Sequence, residues 1–145
     1  MTRLWIVLIA VLALMPTLLA MRPVDDVLLK AAFKGDLGEG NTQIKKEADV
    51  NAANTVGFTP LLVATKKGDR EIVSLLLGHG ADMTQATTIN RMTAMHVAAL
   101  HGHREIVALL LKHGADKSVM ATTGHQPVDF ARQQGHSALV PLLES

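Results

Sequence analysis

The chain has 145 residues, which is enough for one compact domain and too few for two of ordinary size. Arg3 is the only charged residue among residues 1–20, and the rest of the chain carries 13 basic and 13 acidic side chains. A neutral domain with three aromatic residues lacks the overall field and the stacking platforms of a nucleic-acid-binding protein. The absence of cysteine excludes disulfides, thiolate metal sites and a cysteine nucleophile.

An uncharged apolar segment follows Arg3 and ends at Ala20. A basic start, an apolar core and a small final residue are typical of a secretory signal peptide. As a helix the segment would be about 25 Å long, at the short limit for a bilayer core of ~30 Å. We expect residues 1–20 to be a cleaved signal peptide, which would place residues 21–145 in the periplasm or outside the cell. The alternatives are an uncleaved single-pass membrane anchor and a buried helix of the domain.

The remainder of the chain repeats itself. Residues 59–82 read TPLLVATKKGDREIVSLLLGHGAD, and residues 93–116 read TAMHVAALHGHREIVALLLKHGAD, at a constant offset of 34. A third copy, QPVDFARQQGHSALVPLL, follows at residues 126–143 with an offset of 33. A weaker copy comes first and is marked by Ala31, Gly35, Ala48 and Asp49. Self-similarity at this period indicates a stack of supersecondary units.

Each copy has the pattern of two short helices. Thr59 can cap the first helix and Pro60 suits its first position, and Asp26 has the equivalent capping place in the first copy. Gly68 is expected to end the first helix in a left-handed conformation, and a second helix begins near Asp69. The second helix has an apolar face too broad for its own partner to cover, so neighbouring copies must stack against both sides of it.

These residues closely resemble the ankyrin repeat, whose usual form contains TPLHxAA, a glycine, an IVxLLL run and GAD. The resemblance covers about residues 24–145. It implies an all-α solenoid of about four helix-turn-helix repeats with hairpin-like turns, preceded here by the N-terminal apolar helix. The approximate repeat boundaries are 24–55, 56–88, 89–122 and 123–145.

Three segments differ from the usual repeat sequence, and each difference predicts a structural feature. Residues 36–47 read DLGEGNTQIKKE, and two glycines cost about 2 kcal/mol of helix propensity relative to alanine, so we expect this helix to be short or mobile. The turn between the second and third copies has one extra residue, with Asn90 and Arg91 where the usual glycine would be. Pro141 shortens the last helix, which suits a terminal cap.

Seven histidines suggest a metal site, and His101 and His103 are their only close pair. Equivalent positions on stacked helices lie about 8–10 Å apart, too far to share an ion at Zn–N distances of about 2 Å. The resemblance instead implies that His96 ties repeats together. We therefore expect no metal and no cofactor.

Catalytic motifs are also missing: the sequence has no GxSxG and no HExxH. We expect no enzymatic activity, and we expect the recurring aspartates to accept hydrogen bonds in the GAD turns. These aspartates are Asp49, Asp82 and Asp116.

Ankyrin repeats usually bind partners with the turn tips and the exposed side of the first helices, which together form a concave face. Transferring those positions gives fifteen candidate binding residues: Thr55, Val56, Phe58, Lys66, Lys67, Ile89, Asn90, Met92, Leu100, His101, Thr122, Thr123, His125, Gln133 and Gln134. An exposed apolar cluster among them would mark a binding site. The alternative is that Phe58 and Met92 tuck inward. The lysine pairs 45–46 and 66–67 are either a small basic patch or solvated surface.

Because these candidates are mixed apolar and polar, they suit a protein partner better than nucleic acid. We expect an exported, monomeric binding module whose partner is another protein, such as an exported enzyme that it stabilises or inhibits. One alternative is a membrane-tethered scaffold that keeps its apolar segment. The other is a histidine-based metal-binding or catalytic protein.

Overall fold

Four successive helix pairs make up residues 23–145, the part of the chain that the computed structural model describes. The first helices are α1 (Pro23–Lys34), α3 (Pro60–Lys67), α5 (Ala94–His101) and α7 (Pro127–Gln133). The second helices are α2 (Leu37–Lys45), α4 (Arg70–Gly78), α6 (Arg104–Lys112) and α8 (Val140–Glu144), with a 3-10 turn at Ser137–Leu139 before α8. The all-α class is confirmed. The expected signal peptide, anchor or apolar helix at residues 1–20 lies outside the described residues.

The helix boundaries in the second pair follow the local sequence. Thr59 Oγ1 accepts a hydrogen bond from Leu62 N at 3.2 Å, and Pro60 is the first residue of α3. Gly68 ends the helix with a φ of 77°. Asp69 Oδ1 then accepts from Ile72 N at 3.0 Å and begins α4. The predicted cap of α3, its predicted end at Gly68 and the predicted start of α4 are confirmed.

The expected capping role of Asp26 is wrong. Helix α1 already begins at Pro23, a residue that suits the first helical position, so Asp26 lies inside the helix. There its carboxylate pairs with Lys30 Nζ at 2.6 Å, one turn further along. The neighbouring Asp25 is 4% exposed and accepts a hydrogen bond from Asp49 N at 2.7 Å, which ties α1 to the turn that follows α2.

The expectation of a short second helix in the first pair is also wrong. Helix α2 has nine residues, the same number as α4 and α6. Asp36 caps it by accepting from Glu39 N at 2.9 Å, and the buried Gln43 donates to the Glu39 carboxylate. Gly40 is buried near Leu75 of α4. These contacts offset the low helix propensity of the segment, whose expected mobility stays a prediction.

Rows of equivalent apolar residues form the core. In α4 and α6, six equivalent side chains are at most 2% exposed: Ile72, Val73, Leu76, Ile106, Val107 and Leu110. Each first helix packs on its own partner and on the first helix of the next pair, so α1, α3, α5 and α7 form one layer. Most of the buried apolar residues make one continuous cluster from Leu28 to Leu143. The short helix α8 packs against α7 and buries Leu143.

Three hairpin-like turns precede the first helices α3, α5 and α7. Backbone N–H groups of Asn54, Thr87 and Ala121 donate to the carbonyl oxygens of Phe58, Met92 and His125. We call these turns hairpins 1, 2 and 3, at residues 54–58, 87–92 and 121–125. Hairpin 2 has the extra residue that the sequence indicated. Neighbouring hairpins are linked by Thr88 N to Val56 O at 3.2 Å and by Thr122 N to Asn90 O at 2.9 Å.

Arg91 takes the left-handed position of hairpin 2. Its φ is 51°, and the equivalent residues of hairpins 1 and 3, Gly57 and Gly124, have φ values of 81° and 78°. A left-handed conformation costs a non-glycine residue about 1–2 kcal/mol. Hairpin 2 therefore carries backbone strain that its neighbours avoid.

Candidate functional site

An open groove of about 220 Å³ lies where hairpins 1 and 2 meet helices α3 and α5. We call it the hairpin groove. Its lining is mostly apolar and is formed by Val56, Phe58, Lys66, Thr87, Ile89, Asn90, Met92, Val97, Leu100 and His101.

Local hydrogen bonds fix the backbone of hairpin 1 beside this groove. Asn54 Oδ1 accepts from Val56 N at 3.1 Å and from Phe58 N at 2.9 Å. A short polar side chain that bonds the backbone two residues on is the usual way to hold such a turn. Val56 and Phe58 consequently stand on a preformed turn.

The apolar lining divides into a half-buried floor and an exposed rim. Phe58 and Met92 are half-buried and pack against the core, and Leu100 is also half-buried. Val56 is 42% exposed and Ile89 is 75% exposed. Phe58 and Met92 thus face partly inward, which was one of the two expectations for them, and they form the floor of the groove. Val56 and Ile89 form the rim and are in contact with solvent.

Two adjacent lysines at the end of α3 lie against aromatic rings. Lys66 Nζ is 5.7 Å from the ring centroid of Phe58, and Lys67 Nζ is 4.9 Å from that of Phe33 on α1. These distances suit cation–π attraction. Phe33 is itself 61% exposed. The surface next to the groove is therefore basic and partly aromatic.

Of the fifteen predicted binding residues, eight line the hairpin groove. Lys67 lies beside them, over Phe33. The other six are elsewhere: Thr55 on hairpin 1, Thr122, Thr123 and His125 on hairpin 3, and Gln133 and Gln134 at the end of α7. Hairpin 3 still contacts hairpin 2, since Thr122 Oγ1 donates to Ile89 O at 3.4 Å.

Sequence reasoning missed three residues of this surface: Thr87, Val97 and Phe33. Val97 lies three residues before Leu100 on the same face of α5, a spacing that could have identified it. Phe33 lies 33 residues before Lys66, so the repeat offset could have identified it too. Thr87 could not have been found in this way, because hairpin 2 has a different length from the others.

His96 ties the third repeat to the fourth, as the family resemblance implied. It is fully buried; its Nδ1 lies 3.2 Å from Thr93 N, and its Nε2 lies 3.3 Å from His125 O. Since a backbone N–H can only donate, Nδ1 is the acceptor and Nε2 carries the proton. Burial lowers the pKa of His96 below its ordinary value of 6.5, against the opposing effect of its hydrogen bonds to His125 and Val119.

Two other histidines pack against glycines of the preceding repeat. A Cβ atom placed on Gly68 would lie 2.7 Å from Cε1 of His103, and one on Gly102 would lie equally close to His136. His103 Nε2 is 3.4 Å from Lys66 O, and His136 Nε2 is 3.1 Å from Leu100 O. These histidines join repeats. Across residues 23–145, no three His, Asp or Glu side chains are grouped as metal ligands would be.

The recurring aspartates accept hydrogen bonds in the GAD turns, as predicted. Asp82 Oδ1 accepts from Thr84 N at 2.8 Å, and Asp116 Oδ1 accepts from Ser118 N at 2.8 Å. Hydrogen bonds from the side chain and backbone of Thr84 lower the pKa of Asp82, and those from Ser118 lower the pKa of Asp116. Their carboxylates stabilise turns.

The family model described as Ankyrin repeats (3 copies) matches residues 28–121. A stretch of 59 residues is 48% identical to 2-5A-dependent ribonuclease of Mus musculus, covering 40% of this chain and 8% of that protein. The chain is 43% identical over 58 residues to Ankyrin repeat and SAM domain-containing protein 6 of Rattus norvegicus, covering 39% of this chain and 7% of that protein. It is 46% identical over 39 residues to a putative ankyrin repeat protein of Rickettsia bellii, covering 27% and 23%. The chain thus spans only a small part of each of these relatives.

Proposed function

The chain belongs to the ankyrin repeat family, and from this premise we propose that it binds a partner protein through the hairpin groove. The ankyrin repeat is a protein–protein interaction module and in general a binding scaffold without catalytic groups. The observation that carries the proposal is the pair of exposed apolar side chains on the groove rim, Val56 and Ile89. Exposed apolar surface with a polar surround is typical of a binding site.

The groove suits this role because its walls are already in place. Hairpin 1 is held by Asn54, and hairpins 1 and 2 are joined by the backbone hydrogen bond from Thr88 to Val56. A preformed site loses little conformational entropy when its partner binds, which favours affinity. No catalytic step is part of the proposal.

The test compares two exposed apolar residues, one inside the groove and one outside. Ile89 is 75% exposed on the rim, and Met120 is 61% exposed and absent from the groove lining. Replacing Ile89 by Asn should weaken partner binding by about tenfold or more, the loss expected when an interface anchor is removed. Met120→Asn should leave binding unchanged. The readout is crosslinking and recovery of the partner from native cells with tagged full-length chains, followed by measurement of Kd with that partner.

Equal binding by the wild type and both variants would contradict the proposal, since the groove would then take no part. Equal loss in the two variants would contradict it as well, because the effect would not be specific to the groove. Neither residue is part of the buried core, so both variants should fold.

We further propose that the protein acts outside the cytoplasm after removal of residues 1–20, and that its partner is an exported protein, such as an enzyme that it stabilises or inhibits. The basic start, the apolar run and Ala20 support this. Over residues 23–145, no helix is long and apolar enough to cross a bilayer. The mass of the protein recovered from its native cell tests the proposal. Loss of about twenty residues is expected of a signal peptide, whereas an intact chain recovered with membrane proteins would favour the tethered scaffold.

A further inference from the structure

No acidic side chain lines the hairpin groove of this neutral domain. Helices α3 and α5 and all three hairpins contain no Asp or Glu, and they carry Lys66, Lys67 and Arg91. Asp25 and Asp26 lie in α1 and Asp129 lies in α7, and the other acidic residues lie in the second helices or in the loops beside them. The balance of 13 basic and 13 acidic residues therefore conceals a separation of charge.

Lys66 and Lys67 keep their charges available. Among residues 23–145, no carboxylate oxygen lies within 4.0 Å of either ammonium group. Three other basic residues are paired there: Lys30 with Asp26, Arg70 with Glu105, and Arg132 with Asp129 and Glu144. Lys67 also lines a cleft that contains Asp69, Glu71 and Glu105, but none of these carboxylates pairs with it, and that of Asp69 caps α4.

The two lysines also lie at the edge of apolar surface. Lys66 lines the hairpin groove beside Phe58, and Lys67 extends the basic edge towards the exposed Phe33. The groove volume of 220 Å³ exceeds the ~150 Å³ in which a benzene molecule fits. One aromatic ring or one branched aliphatic side chain can therefore occupy the groove while a neighbouring group reaches the lysines.

We propose that the groove binds a protein segment that combines an apolar side chain with one or more adjacent carboxylates. The apolar side chain enters between Val56, Ile89 and the groove floor, and the carboxylate pairs with Lys66 or Lys67. This inference rests on the proposed function and adds the chemistry of the partner. Complementary charge speeds association and selects among partners more than it adds affinity.

The same basic edge could attract a nucleic acid, but the groove favours protein. Unpaired bases are bound mainly by stacking on exposed aromatic rings. Apart from His101, the groove lining has one aromatic ring, Phe58, which is half-buried with Lys66 above it. The exposed ring of Phe33 beside the groove has the Lys67 ammonium group over it. Apolar side chains such as Ile89 and Val56 present no flat face to a base.

Random peptides displayed on phage and selected on the full-length chain provide the test. Enriched peptides should carry Asp or Glu close to Leu, Ile or Phe. The best of them is synthesised with a fluorescent label, and its Kd is measured at low and high salt. With the double variant Lys66→Gln/Lys67→Gln, Kd should rise about three- to tenfold at low salt, as expected from removing exposed ion pairs, and depend less on salt. The matched control is Lys45→Gln/Lys46→Gln, which changes another exposed lysine pair and should leave Kd unchanged.

The outcomes separate this inference from the proposed function. Peptides whose binding is lost in Ile89→Asn, but which lack acidic residues and bind the Lys66/Lys67 variant as well as the wild type, would overturn the inference and leave the proposed function standing. Failure to select any peptide that depends on Ile89 would overturn both. A labelled mixed-sequence RNA that binds the wild type and displaces the peptide, with the same dependence on Lys66 and Lys67, would replace the protein segment by nucleic acid.

Discussion

His96 is a buried ionisable residue that links two repeats in its neutral form. Its Nδ1 accepts from Thr93, at the start of α5, and its protonated Nε2 donates to the carbonyl of His125 in hairpin 3. The ring also lies 5.7 Å from that of Phe130, edge to face. A second proton on Nδ1 would break the bond from Thr93 N and place a charge in the core.

The stability of the domain should therefore fall as the pH drops below about 6.5, the ordinary pKa of histidine. Because the pKa of His96 is lowered in the folded state, the unfolded chain binds the extra proton first, and the free energy of unfolding decreases from this pH down to the folded pKa. Asp82 and Asp116 act in a different window, since their lowered pKa values affect stability only as the pH falls below 3.8. Urea denaturation at pH 7.5 and pH 5 measures the change.

The control is His96→Gln, which retains the other six histidines. The variant should be less stable than the wild type at pH 7.5, and its stability should change less between the two pH values. An equal change in both proteins would show that His96 does not cause the pH dependence.

At the scale of the helix, α2 shows how packing offsets an unfavourable local sequence. Gly38 and Gly40 both lie within its nine residues, yet the helix is as long as its counterparts. The Asp36 cap and the burial of Gln43 provide stabilisation that propensity does not measure. The two glycines still lower the stability of the folded helix relative to alanine at the same positions.

Gly38→Ala should therefore stabilise the domain by about 0.5–1 kcal/mol, the difference in helix propensity between the two residues. A Cβ at this position would meet only Asp36 Oδ1, at an ordinary contact distance of 3.5 Å. The free energy of unfolding from urea titration gives the magnitude, and amide exchange in α2 should slow. Gly68→Ala is the contrasting variant: its φ is 77° and its Cβ would lie 2.7 Å from His103, so it should destabilise. A loss of stability in Gly38→Ala would contradict this account of α2.

The boundaries of α3 and α4 were predictable because their signals are local. Thr59, Gly68 and Asp69 act through hydrogen bonds or backbone angles within a few residues. The length of α2 was not predictable in this way, because it depends on burial against α4. The start of α1 at Pro23 was missed because the repeat alignment placed the cap at Asp26, and the repeat does not fix where an end helix begins.

The sequence predicted many of the residues of the candidate site, but it did not predict how their side chains pack together. The family resemblance identified eight residues that line the hairpin groove. It could not show that Phe58 and Met92 form a floor, or that Lys66 lies over Phe58, since these depend on side-chain packing between repeats. The charge separation was hidden for the same reason: composition counts charges and does not locate them.

Across the whole molecule, each repeat is stabilised by its contacts with the neighbouring repeats. The first helices pack in the order α1, α3, α5 and α7, and the second helices α2, α4 and α6 are likewise joined to their neighbours. In such a stack each repeat is stabilised mainly by the interfaces on its two sides, and an end repeat has only one. A defect in the centre should consequently cost more than a similar defect at the end.

Leu110 and Leu143 allow this to be measured. Leu110 is fully buried in α6, and Leu143 is 4% exposed in the terminal helix α8. Leu110→Ala should lower the free energy of unfolding by about 2–5 kcal/mol, because it leaves a cavity that neighbours on both sides cannot fill. Leu143→Ala should cost about 2 kcal/mol or less, because the last helix can relax around the gap. Amide exchange should quicken throughout the domain in the first variant and chiefly in residues 126–145 in the second, whereas equal losses with uniform exchange would show that all four repeats unfold as one unit.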